Sequence, residues 1–328
     1  MIRTILGAAL LSSLCAGAHA QSNVTIYGIV DIGIAREDNG NAAGSVWRLD
    51  SGIQSGSRIG FRGTEDLGGG LSANFVLENG FSADNGNLGN GGRLFGRRAT
   101  VGLAGGFGAV NLGRQFNPLY KVIDEYDPFG TGLAGDAARL FSTYGSRMDN
   151  SINYALPSMG GFSGEVAYGF GEVPGETSAA RQLGLSAGYA AGPFGVAFAY
   201  HNQKNAAGTD DAKTTLVAGS YDLGMAKLHA MYAVNKGLGA LDTRDALIGA
   251  TVPLGAGKLL VDYIRKSDKA VGSADADQFA IGYIHPLSKR TNLYASYSHT
   301  SNDAGAAYNV AAAGRSDKLM NVGIRHRF

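Results

Sequence analysis

This chain is most informative first for what it lacks. It has one cysteine, Cys15, among 328 residues, so a disulfide framework is excluded. It has one tryptophan and seven prolines. Basic side chains number 28 and acidic ones 27. A balance this even gives no case for nucleic-acid binding or a polybasic membrane tether. Beyond the first twenty residues, no apolar run approaches the length of a transmembrane helix. Metal and catalytic signatures are missing too. His19, His201, His229, His285, His299 and His326 are scattered singly, with no H-E-x-x-H pair and no Cys–His cluster. There is no G-x-S-x-G elbow. GGFGAVNLG at 105–113 lacks the lysine and following helix of a phosphate loop, and reads as a turn plus a strand. The expectation is a protein with no cofactor and no metal, and not an enzyme.

Residues 1–20, MIRTILGAALLSSLCAGAHA, form a leader pattern. Arg3 supplies the positive start, 5–14 the apolar stretch, and Ala18-His19-Ala20 the small-x-small cleavage site. The apolar run is too short to span a bilayer. The expectation is an exported chain cut after Ala20, with 21–328 as a single domain.

What is abundant is glycine, 51 residues, with 15 tyrosines and 14 phenylalanines. What is pervasive is period-two alternation. In QSNVTIYGIVDIGIAR, Val24, Ile26, Val30, Ile32 and Ile34 share one register, and Thr25, Tyr27, Ile29 and Asp31 the other. That is a strand pattern. It recurs to the last residue in about sixteen segments of roughly ten residues, the length that spans a bilayer when tilted. Seven short connections (65–70, 104–108, 157–161, 191–193, 222–224, 253–257, 286–290) alternate with eight long polar ones (37–56, 82–92, 117–146, 171–180, 203–212, 237–241, 267–276, 301–316). Short turns on one side and long loops on the other describe an outer-membrane barrel. The second register carries Gly, Ala, Ser, Thr, Asn, Asp and Arg, which would make a poor sandwich core but suits a water-filled lumen. Lipid requires every backbone polar group to be paired, and a closed barrel does this without an edge. Phe162, Tyr189, Phe194 and Tyr221 near the turns suit an interfacial girdle.

QSNVTIYGIVDIGI, SRIGFRGTEDLGGGLSANFVLENGF, VGLAGGFGAVNLGRQFNP, DNSINY, SKRTNLYASY and the ending VGIRHRF resemble Gram-negative general porins, most closely the trimeric sixteen-stranded β-proteobacterial type. The resemblance spans essentially the whole chain after residue 20. It implies an all-β, 16-stranded antiparallel transmembrane β-barrel with an inward-folded third loop, assembled as a homotrimer. The setting would be the lipid and lipopolysaccharide of a Gram-negative outer membrane. Phe328 matches the C-terminal aromatic that the barrel-assembly machinery is understood to recognise.

The third long loop, 117–146, is the longest and carries Asp124, Glu125 and Asp127. Loops of this length are uncommon unless functional. By resemblance, a basic ladder would face it. Arg58 and Arg62 fall on the inner register of their strand, as does Arg98, with Arg97 beside it. Arg147 shares the register of Asp149 and Ser151. Strict alternation turns Arg114 outward, unless Gly113 hosts a bulge that brings it in. Arginines opposite acids across a narrow pore sort solutes by size, charge and dipole. The expected function is passive diffusion of ions and small hydrophilic solutes with a weak anion preference. The alternatives are a substrate-specific channel, requiring an aromatic slide or a denser basic cluster, and a barrel serving surface adhesion through loop 37–56 with Trp47.

Overall fold

A computed structural model describes residues 23–141, 145–269, 272 and 274–328. The expected leader, 1–20, lies outside the described residues. The strands are β1 (Asn23–Asp38), β2 (Val46–Ser51), β3 (Arg58–Gly68), β4 (Leu71–Gly80), β5 (Arg98–Gly105), β6 (Gly108–Phe116), β7 (Arg147–Ala155), β8 (Phe162–Gly169) and β9 (Gln182–Ala191). They continue as β10 (Phe194–Lys204), β11 (Asp211–Asp222), β12 (Lys227–Gly237), β13 (Leu241–Leu254), β14 (Gly257–Asp268), β15 (Ala276–Pro286), β16 (Thr291–Asn302) and β17 (Asp317–Arg327).

Every neighbouring pair is antiparallel, and each strand from β3 to β17 pairs with the next. The seam closes on β1. Its residues from Ile29 to Asp38 pair with β17, and those from Asn23 to Ile29 pair with β3. The C-terminus completes it, since Gly28 and Phe328 exchange backbone hydrogen bonds of 3.0 and 3.1 Å. This is a closed sixteen-stranded barrel. β2 is an addition to it: a short strand inside the first long loop that pairs with β1 above the β3 contact. The sequence pattern reads as loop across all of 37–56, and β2 corrects that reading. The chain between β2 and β3 then leaves the wall and enters the lumen.

The alternation now has its cause. Val24, Ile26, Val101, Leu112, Val166, Val217, Ile248, Phe279 and Val322 point outward and lie exposed. An apolar surface this continuous is what a bilayer covers. Among the described residues no helix is long and apolar enough to cross a membrane, and the strands do the crossing. Phe162 and Tyr189 are cross-strand partners with ring centroids 4.6 Å apart, at the turn end of β8 and β9.

The third long loop folds into the barrel. Asn117 caps helix α1 (Pro118–Tyr126), accepting from the Tyr120 N–H at 2.7 Å, with Pro118 supplying a pre-set first turn. Leu119, Val122, Ile123 and Tyr126 recur at helical spacing and are buried. This stripe packs on the inner wall of β9 to β12, where Ala197, Ala199, Leu216, Ala218, Met231 and Ala233 replace polar lumen residues. The loop thus covers an apolar stretch of the lumen wall.

Candidate functional site

A cavity of about 830 Å³ lies between the folded-in loop and the wall. Arg58, Arg97 and Arg147 stand together on one side of it. They are held by hydrogen bonds behind the lumen surface. Arg58 Nε donates to the Gly56 carbonyl at 2.9 Å. Arg97 Nε donates to Glu78 at 2.7 Å, and Arg58 lies 3.9 Å from the same carboxylate. Arg147 Nε donates to the Arg97 carbonyl at 2.9 Å, and its guanidinium lies 4.4 Å from the centre of the Phe116 ring. Phe116 in turn stacks on Tyr120 at 5.1 Å. Tyr27 donates to the second oxygen of Glu78 at 2.9 Å. One buried carboxylate thus fixes two guanidiniums, and an aromatic stack fixes the third.

On the loop side, Asp124 and Glu125 border the cavity. Asp124 accepts from the Thr131 hydroxyl, which also bonds Tyr120 at 2.9 Å. Asp127 also borders the cavity, but its oxygens are turned into the loop. They accept from the N–H groups of Phe129 (2.9 Å), Thr131 (2.9 Å) and Ala137 (3.0 Å). Burial, with Asp136 nearby, pushes Asp127 up to about 7. Its role is to tie the loop.

The structure separates the remaining expected residues from this group. Arg62 is on the inner register as expected, but it stacks 5.1 Å from the Tyr27 ring and does not line the cavity. Arg98 is also inward, bonded to Thr100 at 3.3 Å, and is likewise outside the lining. The bulge at Gly113 exists, with φ +118° and a register shift between Gly113 and Gln115. It delivers Arg114 to Asp149 and to the Gly96 carbonyl at 2.7 Å, not to the cavity.

The lining also holds basic residues absent from the ladder expected from sequence: Lys121, Lys227, Lys258, Arg325 and Arg327. Lys121 is paired with Glu165 at 2.7 Å. Arg325 donates to Ser55 at 2.8 Å and to Asn292 at 3.1 Å. Lys258 stands in the field of Arg325, Arg327 and Lys227. Arg327, Ile29 and Arg58 are register partners across β17, β1 and β3, so the basic lining runs through the barrel seam. Alternation would have found the four that stand on strands. Leu228, Ile324 and their like point out, which turns Lys227, Arg325 and Arg327 in.

A closed transmembrane barrel whose lumen is narrowed by its own loop defines an outer-membrane diffusion channel. The Gram-negative porin family matches residues 7–305, and the chain belongs to it. Outer membrane porin protein 32 of Delftia acidovorans is 36% identical over 359 residues, spanning 100% of both chains. An outer membrane porin protein of Bordetella pertussis is 32% identical over 391 residues, again across 100% of both. The solved structure of an anion-selective porin from Comamonas acidovorans superposes with a TM-score of 0.83 at 36% identity, covering 94% of this chain and 100% of that one. The protein is an outer-membrane porin of a Gram-negative bacterium, a passive channel in a family of channels.

Proposed function

We propose that this porin passes small anions in preference to cations, without covalent chemistry on its solutes. One observation carries the reading. Eight cationic side chains line the cavity (Arg58, Arg97, Lys121, Arg147, Lys227, Lys258, Arg325, Arg327) against three acidic ones, Asp124, Glu125 and Asp127. Asp127 turns its oxygens to backbone N–H groups of the loop, away from the cavity. Cations remain in excess even when Glu78 and Glu165, standing behind the lining, are counted. A lumen of this sign concentrates anions and repels cations. The similar Comamonas acidovorans porin is anion-selective by name. The test is a planar-bilayer recording across a potassium chloride gradient. The expected zero-current potential has the sign of chloride permeation, and a potential of the opposite sign would refute the preference.

Three further proposals rest on family membership and the sequence: assembly as a homotrimer in lipid and lipopolysaccharide, export on a leader cut after Ala20 to leave domain 21–328, and delivery by the barrel-assembly machinery through Phe328. Conductance steps in groups of three would report the trimer.

A substrate-specific reading gains one observation of its own. Lys227, Lys258, Arg325 and Arg327 make no ion pair among the described residues, so a multivalent anion has four uncommitted charges to meet. Millimolar inorganic phosphate is expected to block chloride current saturably. Replacing Lys258, Arg325 and Arg327 with glutamine should raise the blocking concentration by about tenfold or more, the scale of one lost charge-assisted contact. Block that is linear and unchanged in the variant would leave a general diffusion pore.

A further inference from the structure

The tip of loop 3 meets the wall at an unusual place. Pro128 presses on Gly249 of β13 so closely that a Cβ there would lie 2.6 Å from Pro128 Cγ. The same point is 3.1 Å from the Cβ of Asp262, the β14 partner of Gly249. Asp262 is 3% exposed, and neither carboxylate oxygen has a hydrogen-bond partner among the described residues. The charges of Asp127 and Asp136 of the loop act on it. An ionised carboxylate buried without donors, facing two more carboxylates, is an arrangement that proteins avoid by keeping a proton.

Among the described residues no cation is placed to relieve it. On β14 itself, Lys266 is committed to Asp245 of β13 at 2.7 Å and to the Leu140 carbonyl at 2.8 Å. On β12, His229 bonds the Tyr126 carbonyl at 3.0 Å. On β15, the inward neighbours Gln278 and Ala280 carry no charge. Lys258 faces the cavity with Arg325 and Arg327. Asp136 accepts from the Ala138 N–H at 2.7 Å. A metal ion does not fit either. No three His, Cys, Asp or Glu among the described residues are placed to hold one, and the oxygens of Asp127 are already met by N–H donors.

We infer that Asp262, Asp127 and Asp136 form a proton-holding latch between the tip of loop 3 and the barrel wall. Protonated, the cluster lets the loop sit tight; ionised, it pushes the loop off. The other ties between loop and wall need no such proton. Ala134 N–H donates to Ser296 Oγ at 3.0 Å, and Arg139 pairs with Asp317 at 2.5 Å. The latch therefore acts on the tip, next to Asp124 and Glu125, which border the pore.

The direction follows from linkage. Burial raises Asp136 and pushes Asp127 up to about 7, while a carboxylate released into water titrates near 4. The docked loop thus binds more protons than the released loop. Docking is complete below about 4 and weakens as pH rises through the docked values, by up to about tenfold per pH unit for each proton held.

This inference does not depend on the anion preference. The test uses the purified, reconstituted porin, recorded at pH 5 and pH 9 in one salt at one voltage. The expected result is excess open-channel noise and brief closures that rise at least tenfold from pH 5 to pH 9 in the wild type. Asp262→Asn and Asp136→Asn should each show a smaller rise than the wild type, by the share of the one proton removed. Only variants that migrate as folded barrels without heating are recorded. If Asp262→Asn fails that check, Asp136→Asn decides. A wild type equally quiet at both pH values, or a variant with an undiminished rise, would overturn the latch. So would a chelator that reproduces the pH 9 noise at pH 5, since a metal would then be closing it. The reversal potential in the same recordings tests the anion preference separately.

Discussion

Exchanging Arg58 and Arg147 together for glutamine is expected to shift the zero-current potential toward cations and to cut the chloride-to-potassium permeability ratio by about tenfold. The estimate is Coulombic. A unit charge about 6 Å from a permeating ion in a water-like dielectric contributes about 0.7 kcal/mol, of opposite sign for chloride and potassium, so two charges set the two ions apart by about 2.8 kcal/mol unscreened and by about half of that, a factor of about ten, in 0.1 M salt. Salt screens this only partly, because the Debye length of about 10 Å at 0.1 M exceeds the distance from the wall to the ion. These two side chains are chosen for their fixed positions. Arg58 is held by Gly56 and Arg147 by Arg97 and the Phe116 ring, so neither guanidinium swings away from the pore. Glutamine keeps an N–H donor at the position of Nε, the atom that bonds Gly56 and Arg97, while removing the charge. Glu78 keeps Arg97 as its partner at 2.7 Å, so the fold of the wall survives the change. A permeability ratio unchanged in the double variant would remove both residues from the filter.

Much of the architecture is legible in the sequence because a barrel in lipid enforces one rule everywhere. Side chains must alternate between two solvents, and connections must alternate between two sides. The seven short turns and eight long loops expected from the sequence fall between barrel strands, but 37–56 holds β2 and 237–241 is only a three-residue connection between β12 and β13. Helix α1 is the exception to the barrel's period-two rule, and its pattern at Leu119, Val122, Ile123 and Tyr126 is a helical one.

The site is less legible, for three physical reasons. Register says whether a side chain enters the lumen but not at what depth, so Arg62 and Arg98 share the inner face with Arg58 yet do not line the cavity. A bulge can be foreseen from Gly113, but where Arg114 lands depends on Asp149 across β6 and β7, where Asn150 at φ +49° also breaks the alternation. A loop carboxylate such as Asp127 reads as a pore charge until its three backbone donors are seen. Lys227 and Arg325 carry a usable signal, since Leu228 and Ile324 beside them point outward.

Asp31 is the position where one atom group joins the barrel seam to the pore. It is fully buried, on the inner register of β1. One oxygen accepts from the Tyr294 hydroxyl of β16 at 2.7 Å. The other accepts from the N–H groups of Gln54 and Ser55, at 2.9 and 2.6 Å, in the chain that dips into the lumen between β2 and β3. That dipping segment is what reaches the rest of the site. Gln54 accepts from Asn292, Ser55 accepts from Arg325, and the Ile53 carbonyl accepts from Leu133 of loop 3 at 2.6 Å. Asp31→Ala therefore leaves two backbone donors and a phenol unpartnered in a closed space. The expected loss is about 3 kcal/mol or more, the sum of several such desolvation penalties. Tyr294→Phe removes one of the three donors and should cost about 1 kcal/mol. Thermal unfolding followed by gel mobility would order the two variants below the wild type, Asp31→Ala lowest. Because Ser55 also holds Arg325, the barrels of Asp31→Ala that do fold are expected to show a weaker anion preference than the wild type. A wild-type midpoint together with a wild-type reversal potential would mean that the buried carboxylate fixes neither the seam nor the filter.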